Sequence, residues 1–287
     1  MIVAFIGLGV MGLPMAQHLL RGGHSLRVFT RTAEKAAPLV SEGAAQFPDI
    51  KSCVKGCEAV ITMVGYPKDV EDVYLSPDSI LEEAPRGALL IDMTTTSPAL
   101  WQRIAGMARE KGFRPLDAPV SGGDMGARNA ALAVMVGGEG ADFEAALPLF
   151  SLMGKNIVHE GPDGFGQHTK MANQIAIAGA IQGVAEALCY GETKGLDSGK
   201  MLATISSGAA GSWQMSNNGP KMAAGDTQPG FFIKHFVKDL RIAQGESEAD
   251  GLLLPVLREA LAAYDGLEAA GLGELGTQAL IQAFRKA

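Results

Sequence analysis

With 287 residues, 47% of them hydrophobic and 19% charged, the chain is long enough for two domains of ordinary size and too apolar to be disordered. A net charge of −7 excludes a general polyanion binder, because phosphate-backbone affinity needs clustered Lys and Arg, so nucleic acid is not an expected partner. Neither a basic leader nor an apolar run near the roughly 20 residues that span a bilayer is visible. A soluble protein with no membrane partner is therefore expected. Three cysteines, an odd number, favour the reducing cytoplasm. Cys53 and Cys57 stand four apart, as two zinc ligands on one helix face do, but no His or further Cys lies nearby to complete four ligands, so packing and no metal is the expectation.

In chain order, short apolar runs at 2–6, 26–29, 59–64, 88–93 and 113–117 alternate with helical patterns such as 12–21, 33–41 and 98–111. Each run is rich in Val, Ile, Leu or Phe and bounded by glycine or polar residues, as strands covered on both faces are. Repeated β-α alternation predicts an α/β Rossmann fold, a doubly wound parallel sheet. Runs at 132–136 and 156–159, around a helix at 141–153, are expected to extend that sheet. From about Gly166 the apolar spacing becomes three and four, which predicts an all-helical C-terminal domain. The proline-free stretch 166–194 predicts one helix of roughly 40 Å that bridges the domains. Further helices are expected at 198–206, 212–224, 234–249 and 255–269. The domains are expected to be 1–162, binding a dinucleotide, and 163–287, serving substrate and oligomerisation.

Gly7-Leu8-Gly9-Val10-Met11-Gly12 places G-x-G-x-x-G directly after the first strand and at the start of a helix. In that context Gly7 permits the tight turn, Gly9 lets backbone approach a pyrophosphate, and Gly12 lets helix pack closely on strand. The pyrophosphate then meets free N–H groups at a helix N-terminus. Some 20 residues on, where an NAD enzyme carries Asp or Glu, this chain has Thr30-Arg31-Thr32. Arg31 can pair with a 2′-phosphate and the two threonines can add hydroxyls, so NADP is expected ahead of NAD; the alternative is that Arg31 stacks on adenine or faces water. Met63 and Val64 end another strand and line either the cofactor cleft or the core.

In the segment 164–173, glycines lead into a helix on which Lys170 and Asn173 are three apart and share a face. Alcohol oxidation needs a base for the hydroxyl proton, and carbonyl reduction needs the same group as an acid. A lysine whose pKa falls by burial beside a cationic nicotinamide serves both directions, and its charged form attracts a carboxylate. Lys170 is the expected catalytic residue, with Asn173 orienting the substrate by hydrogen bonds. Ser121, Gly122 and Gly123 offer a hydroxyl and unobstructed N–H groups, a cradle for a small carboxylate substrate. His168 and His235 lie near these motifs in supporting roles only.

Together, Gly7-Leu8-Gly9-Val10-Met11-Gly12-Leu13-Pro14-Met15-Ala16, Asp117-Ala118-Pro119-Val120-Ser121-Gly122-Gly123, Gly164-Phe165-Gly166-Gln167-His168-Thr169-Lys170-Met171-Ala172-Asn173 and Lys238-Asp239-Leu240 resemble the 3-hydroxyisobutyrate dehydrogenase and tartronate semialdehyde reductase family over essentially the whole chain. The resemblance implies an active site in the cleft between a Rossmann and a helical domain, and hydride transfer between a nicotinamide and a small hydroxy acid. It implies the substrate carboxylate at Ser121-Gly122-Gly123, a contact of Thr95 with the nicotinamide side of the cofactor, and a reach of Lys238 toward the cofactor. It also implies a homodimer or homotetramer, which the apolar helical half favours on its own account. Two local departures bear on substrate identity: Asn129-Ala130-Ala131-Leu132, with Met125 and Arg128 nearby, stands where the family often has Asp-Gly-x-Leu, and Val64-Gly65-Tyr66-Pro67 replaces a Leu-Pro loop. Imine reduction on the same fold, or a non-catalytic dinucleotide-binding assembly module, are the alternatives. Lys170 counts against both, because relatives of those kinds replace or damage the lysine motif.

Overall fold

The computed structural model describes residues 1–285. Its strands are β1 (Ile2–Ile6), β2 (Ser25–Phe29), β3 (Ala45–Gln46), β4 (Ala59–Thr62), β5 (Leu89–Asp92), β6 (Arg114–Asp117), β7 (Val120–Ser121), β8 (Leu132–Gly138) and β9 (Gly154–Gly161). Among them run the helices α1 (Gly12–Arg21), α2 (Ala37–Ser41), α3 (Ile50–Val54), α4 (Pro67–Leu75), α5 (Ile80–Glu83), α6 (Pro98–Glu110), α7 (Gly123–Arg128) and α8 (Gly140–Phe150). After them come α9 (Phe165–Thr193), α10 (Ser198–Ser206), α11 (Gly219–Ala224), α12 (Ile233–Ala249) and α13 (Pro255–Ala269). Contacts divide the chain into Met1–Lys170 and a second unit from Met171 onward, a division that falls inside α9.

In the first unit the strands form one sheet in the order β3-β2-β1-β4-β5-β6-β8-β7, with β9 on β8. Pairs from β3 through β6 are parallel. At the far side of this parallel sheet the direction changes, because β8 runs antiparallel to both β6 and β7. An apolar run reports burial but not direction, so the reversal had no signal in 132–136. Alternation along β1 shows why both faces are covered. Val3 and Phe5 join the core formed with α1 and α8, whereas Ala4 and Ile6 join the core formed with α3, α4 and α6. Cys53 and Cys57 belong to the second of these cores, with Cys57 Sγ donating to the Cys53 carbonyl at 3.4 Å. Burial pushes the Cys53 thiol up to about 12, in keeping with a packed thiol.

The second unit is helical and has a core of its own, in which Ile181, Ala185 and Leu188 of α9 pack with Phe236 and Leu240 of α12 and Leu261 and Tyr264 of α13. The helix expected at 212–224 forms, opening with a π-turn at Gln214–Asn218 that runs straight into α11, and Pro220 stands at the first turn of α11, where its missing N–H is not needed. Among the described residues no helix is long and apolar enough to cross a membrane.

Candidate active site

The fingerprint, Thr30-Arg31-Thr32, Met63-Val64, Thr94-Thr95-Thr96 and Ala118 to Ser121 all follow the carboxyl ends of strands β1, β2, β4, β5 and β6. The order β2-β1-β4 reverses at β1, so the fingerprint occupies the topological switch point of the sheet. Gly7 has φ +99°, and a Cβ there would collide with the Met63 carbonyl; a Cβ on Gly12 would collide with the Gly7 carbonyl. Strand β1, the turn and α1 are thus drawn together, and Met63 and Val64 are set against the turn. A Cβ on Gly9 would meet nothing within 4 Å. The first turn of α1 carries no acidic residue. An open backbone turn at an unopposed helix N-terminus fits a dinucleotide diphosphate.

The turn after β5 is built over a buried polar cluster. Asp92 Oδ1 accepts from Thr62 Oγ1 at 2.7 Å and from the Thr94 N–H at 3.1 Å, and Thr62 Oγ1 lies 3.1 Å from Tyr74 Oη. Thr94 Oγ1 in turn accepts from the Val64 N–H at 3.0 Å, which ties the turn after β4 to the turn after β5. Burial pushes the Asp92 carboxyl up to about 7, against the pull of these hydrogen bonds.

The start of α9 is clamped from two sides. Asp117, fully buried at the end of β6, accepts from the Gly164 N–H through Oδ1 at 2.9 Å and from the Gln167 N–H through Oδ2 at 2.8 Å, and so satisfies N–H groups that the helix start leaves unpaired. Burial raises this carboxyl to about 6, and the two backbone donors oppose the rise. A Cβ on Gly166 would meet the Asp117 carbonyl and Oδ2, both at 2.9 Å, so the motif glycine is a close-approach glycine. The buried Gln167 side chain accepts from the Thr96 N–H at 3.0 Å and donates to the Thr94 carbonyl at 2.8 Å. One carboxamide thereby brackets Thr95. One turn further along, the buried Lys170 Nζ donates to the Val120 carbonyl at 2.8 Å. Val120 adjoins Ser121, and the chain continues through Gly122, at φ +131°, into α7. Gln167 and Lys170 therefore tie the start of α9 to the turns that carry Thr95 and Ser121-Gly122-Gly123, all within the first unit.

In the second unit Asn173 Nδ2 donates to Gln174 Oε1 at 2.8 Å, Gln174 Nε2 donates to Asp239 Oδ2 at 2.5 Å, and Lys238 Nζ lies 3.0 Å from Asp239 Oδ1. Asn173 and Lys238 are thus linked through a carboxamide and a carboxylate that are themselves buried. His235, on the same helix as Lys238, is held below its ordinary value by burial and then by the charges of Lys238 and Lys234. Sequence reasoning misses Asp117, Gln167, Gln174 and Asp239 as site residues, although Asp117, Gln167 and Asp239 lie inside the quoted motifs and Gln174 directly follows one. An Asp closing an apolar strand, as in Leu116-Asp117, is the signal that was available.

The chain matches the model of the NAD binding domain of 6-phosphogluconate dehydrogenase over residues 2–161 and that of the NAD-binding region of NADP-dependent 3-hydroxyisobutyrate dehydrogenase over 164–284. It is 51% identical to an uncharacterised oxidoreductase of Bacillus subtilis, over 99% of each chain. It is 37% identical to the 2-hydroxy-3-oxopropionate reductase of Escherichia coli, over 98% of this chain and 96% of that one. The solved structure of a 3-hydroxyisobutyrate dehydrogenase of Mycobacterium tuberculosis with L-serine superposes with a TM-score of 0.91 at 32% identity, covering 100% of both chains. With two family models matched in succession and full-length relatives well above 30% identity, the chain belongs to the 3-hydroxyisobutyrate dehydrogenase family, the NAD(P)-dependent β-hydroxyacid dehydrogenases.

Proposed function

We propose that this dehydrogenase interconverts a small β-hydroxy acid and its semialdehyde using NADP(H), with Lys170 moving the proton at the reacting oxygen. The observation that carries the reading is the placement of a buried lysine amine 2.8 Å from Val120 O, next to Ser121-Gly122-Gly123. A proton donor beside a carboxylate cradle suits a substrate whose oxygen to be protonated lies two carbons from its carboxylate. Bound nicotinamide supplies or accepts the hydride. Lys170 gives a proton to the carbonyl oxygen during reduction and takes one from the hydroxyl during oxidation. Ser121 Oγ and the N–H groups of Gly122 and Gly123 hold the carboxylate, and Asn173 orients the hydroxyl. Thr95 and Lys238 serve the cofactor, with Gly7 to Gly12, Met63 and Val64 forming its seat. The related proteins are named for 2-hydroxy-3-oxopropionate and 3-hydroxyisobutyrate, and one holds L-serine; all three are compact acids with oxygen on the β-carbon, which favours three- and four-carbon substrates.

NADP rather than NAD is supported by Arg31, with a side chain 80% exposed, and by the lack of an acidic residue at 30–32. Cytoplasmic residence accords with three free cysteines. A homodimer or homotetramer accords with Tyr190, Leu196, Trp213, Leu253 and Val256, all more than half exposed in the helical unit; light scattering at micromolar concentration tests it. The central test replaces Lys170 by Ala. Turnover of the best substrate in a screen of semialdehydes and β-hydroxy acids should fall roughly 10²- to 10⁴-fold, while NADPH affinity, read by fluorescence titration, stays within about twofold. A near-normal kcat with a raised KM would reduce Lys170 to an electrostatic anchor and overturn the reading.

A further inference from the structure

Arg31 has an acidic neighbour that the residues after β2 do not reveal. Its Nη1 lies 2.9 Å from Oδ1 of Asp69, the third residue of α4. The two side chains are unequally held. Arg31 is 80% exposed, whereas Asp69 is 17% exposed and its Oδ2 accepts from the Tyr66 N–H at 3.0 Å, capping α4. A Cβ on Gly65 would come within 3.1 Å of that same oxygen, so Gly65 leaves room for the carboxylate over the helix start. Asp69 is therefore anchored by its own helix, and Arg31 comes to it.

We propose that Asp69 competes with an incoming 2′-phosphate for Arg31 and is the residue that limits the preference for NADP(H) over NAD(H). This rests on the NADP(H) reading given above. An exposed ion pair is weakly held, so a 2′-phosphate can recruit the guanidinium from it. The carboxylate, however, does not leave, because the α4 cap fixes it. A bound 2′-phosphate then shares one arginine with a second anion only a guanidinium's width away, and like charges so placed weaken binding. A cofactor without the phosphate brings no second anion to Arg31 and escapes this penalty. Specificity here is a difference of two affinities, and Asp69 acts on one of them.

The test is calorimetric titration with adenosine 2′,5′-diphosphate and with ADP, which needs no turnover. Unaltered protein, Asp69→Asn, Arg31→Ala and the double variant are compared at low salt, with thermal melts to verify folding. Asn keeps an acceptor for the Tyr66 N–H, so the α4 cap survives. Asp69→Asn should tighten adenosine 2′,5′-diphosphate about two- to fivefold and leave ADP unchanged, with the gain fading at high salt and vanishing when Arg31→Ala is added. Unchanged or weakened binding in Asp69→Asn would show that Asp69 is neutral or instead orients Arg31 for the phosphate, and overturns the proposal. An equal gain for both ligands, or one that persists without Arg31, overturns it as well. If Arg31→Ala alone fails to weaken adenosine 2′,5′-diphosphate, the NADP(H) reading falls and takes this proposal with it; if Arg31→Ala weakens it and Asp69→Asn has no effect, only the proposal falls.

Discussion

The two units hold their candidate site residues by different means. In the first, side chains grip backbone: Asp117 takes the N–H groups of Gly164 and Gln167, Gln167 takes Thr94 and Thr96, and Lys170 reaches the Val120 carbonyl. In the second, side chains grip one another, from Asn173 through Gln174 and Asp239 to Lys238. A backbone-anchored group is as well placed as its loops, and an error there appears as misplaced chemistry. A buried chain of side chains fails when any member changes, because the neighbours lose partners they cannot replace from water, and the error appears first as lost stability.

The largest expected departure therefore lies in the first unit and in turnover. Asp117→Asn puts an amide NH2 against one of the two backbone N–H groups at the start of α9. Lys170 sits one turn on, and a shift on the order of 1 Å costs about 10²-fold in kcat. Binding of ADP, which the proposed function assigns to other turns, should stay near normal. Steady-state kinetics beside ADP titration read the two effects, and an equal loss in both would mean that the whole unit had loosened.

The counterpart in the second unit is Asp239→Ala, which removes the carboxylate that Gln174 and Lys238 both face. A cost of roughly 3 kcal/mol in unfolding free energy is expected. A double-mutant cycle with Gln174→Ala should show coupling above about 1 kcal/mol. Additivity of the two changes in denaturant titrations would dissolve the contrast between the units.

A third prediction concerns a buried group that serves backbone without being spent on chemistry. Asp92 is fully buried, Oδ2 has no hydrogen-bond partner among the described residues, and burial carries its carboxyl from 3.8 to about 7. With the folded value raised, the native state binds the proton more tightly than the unfolded chain. The stability contribution is then complete below about pH 4 and is lost as pH rises through about 7. At pH 8 a shift from 3.8 to about 7 is worth on the order of 4 kcal/mol, against about 1 to 3 for an amide left short of a partner. Asp92→Asn should accordingly gain roughly 1 to 3 kcal/mol at pH 8 and flatten the melting profile between pH 4 and 7. A profile as steep as that of the unaltered protein would place the titration elsewhere.

What sequence could show follows the same division. The glycine fingerprint was legible because each glycine answers a local need, and α9 was legible because its apolar spacing runs unbroken from Phe165 to Thr193. Two-residue β3 and β7 and the short helices α3 and α5 carry too few residues for any period. The residues in the motifs were visible but their partners were not, since Asp117 and Gln167 are 50 positions apart and Gln174 and Asp239 are 65 apart. Local propensity has no access to pairings at that range. The carboxylate of Asp69 escaped for the same reason, although the departure at Gly65-Tyr66-Pro67 was in view.

The smallest expected effect tests a turn whose departure from the family pattern was legible. Ala130, in the turn between α7 and β8, has φ +50°, a conformation that L side chains adopt at a cost of roughly 1 to 2 kcal/mol. The turn is enforced from both sides, by the Ala131 N–H donating to the Gly126 carbonyl at 2.9 Å and by the pairing of Ala133 with Ser121. Glycine removes the strain but gives the unfolded chain more freedom, which returns about 0.4 to 1 kcal/mol. Ala130→Gly should thus stabilise by about 0.5 to 1 kcal/mol and raise Tm by roughly 1 to 4 °C for a chain of this size. Because Ser121 pairs directly across from this strand, kcat/KM should change by less than about twofold if the backbone alone sets the cradle. A stabilised variant with altered substrate selectivity would mean that the Ala130 methyl, and not only the turn that strains it, shapes the site.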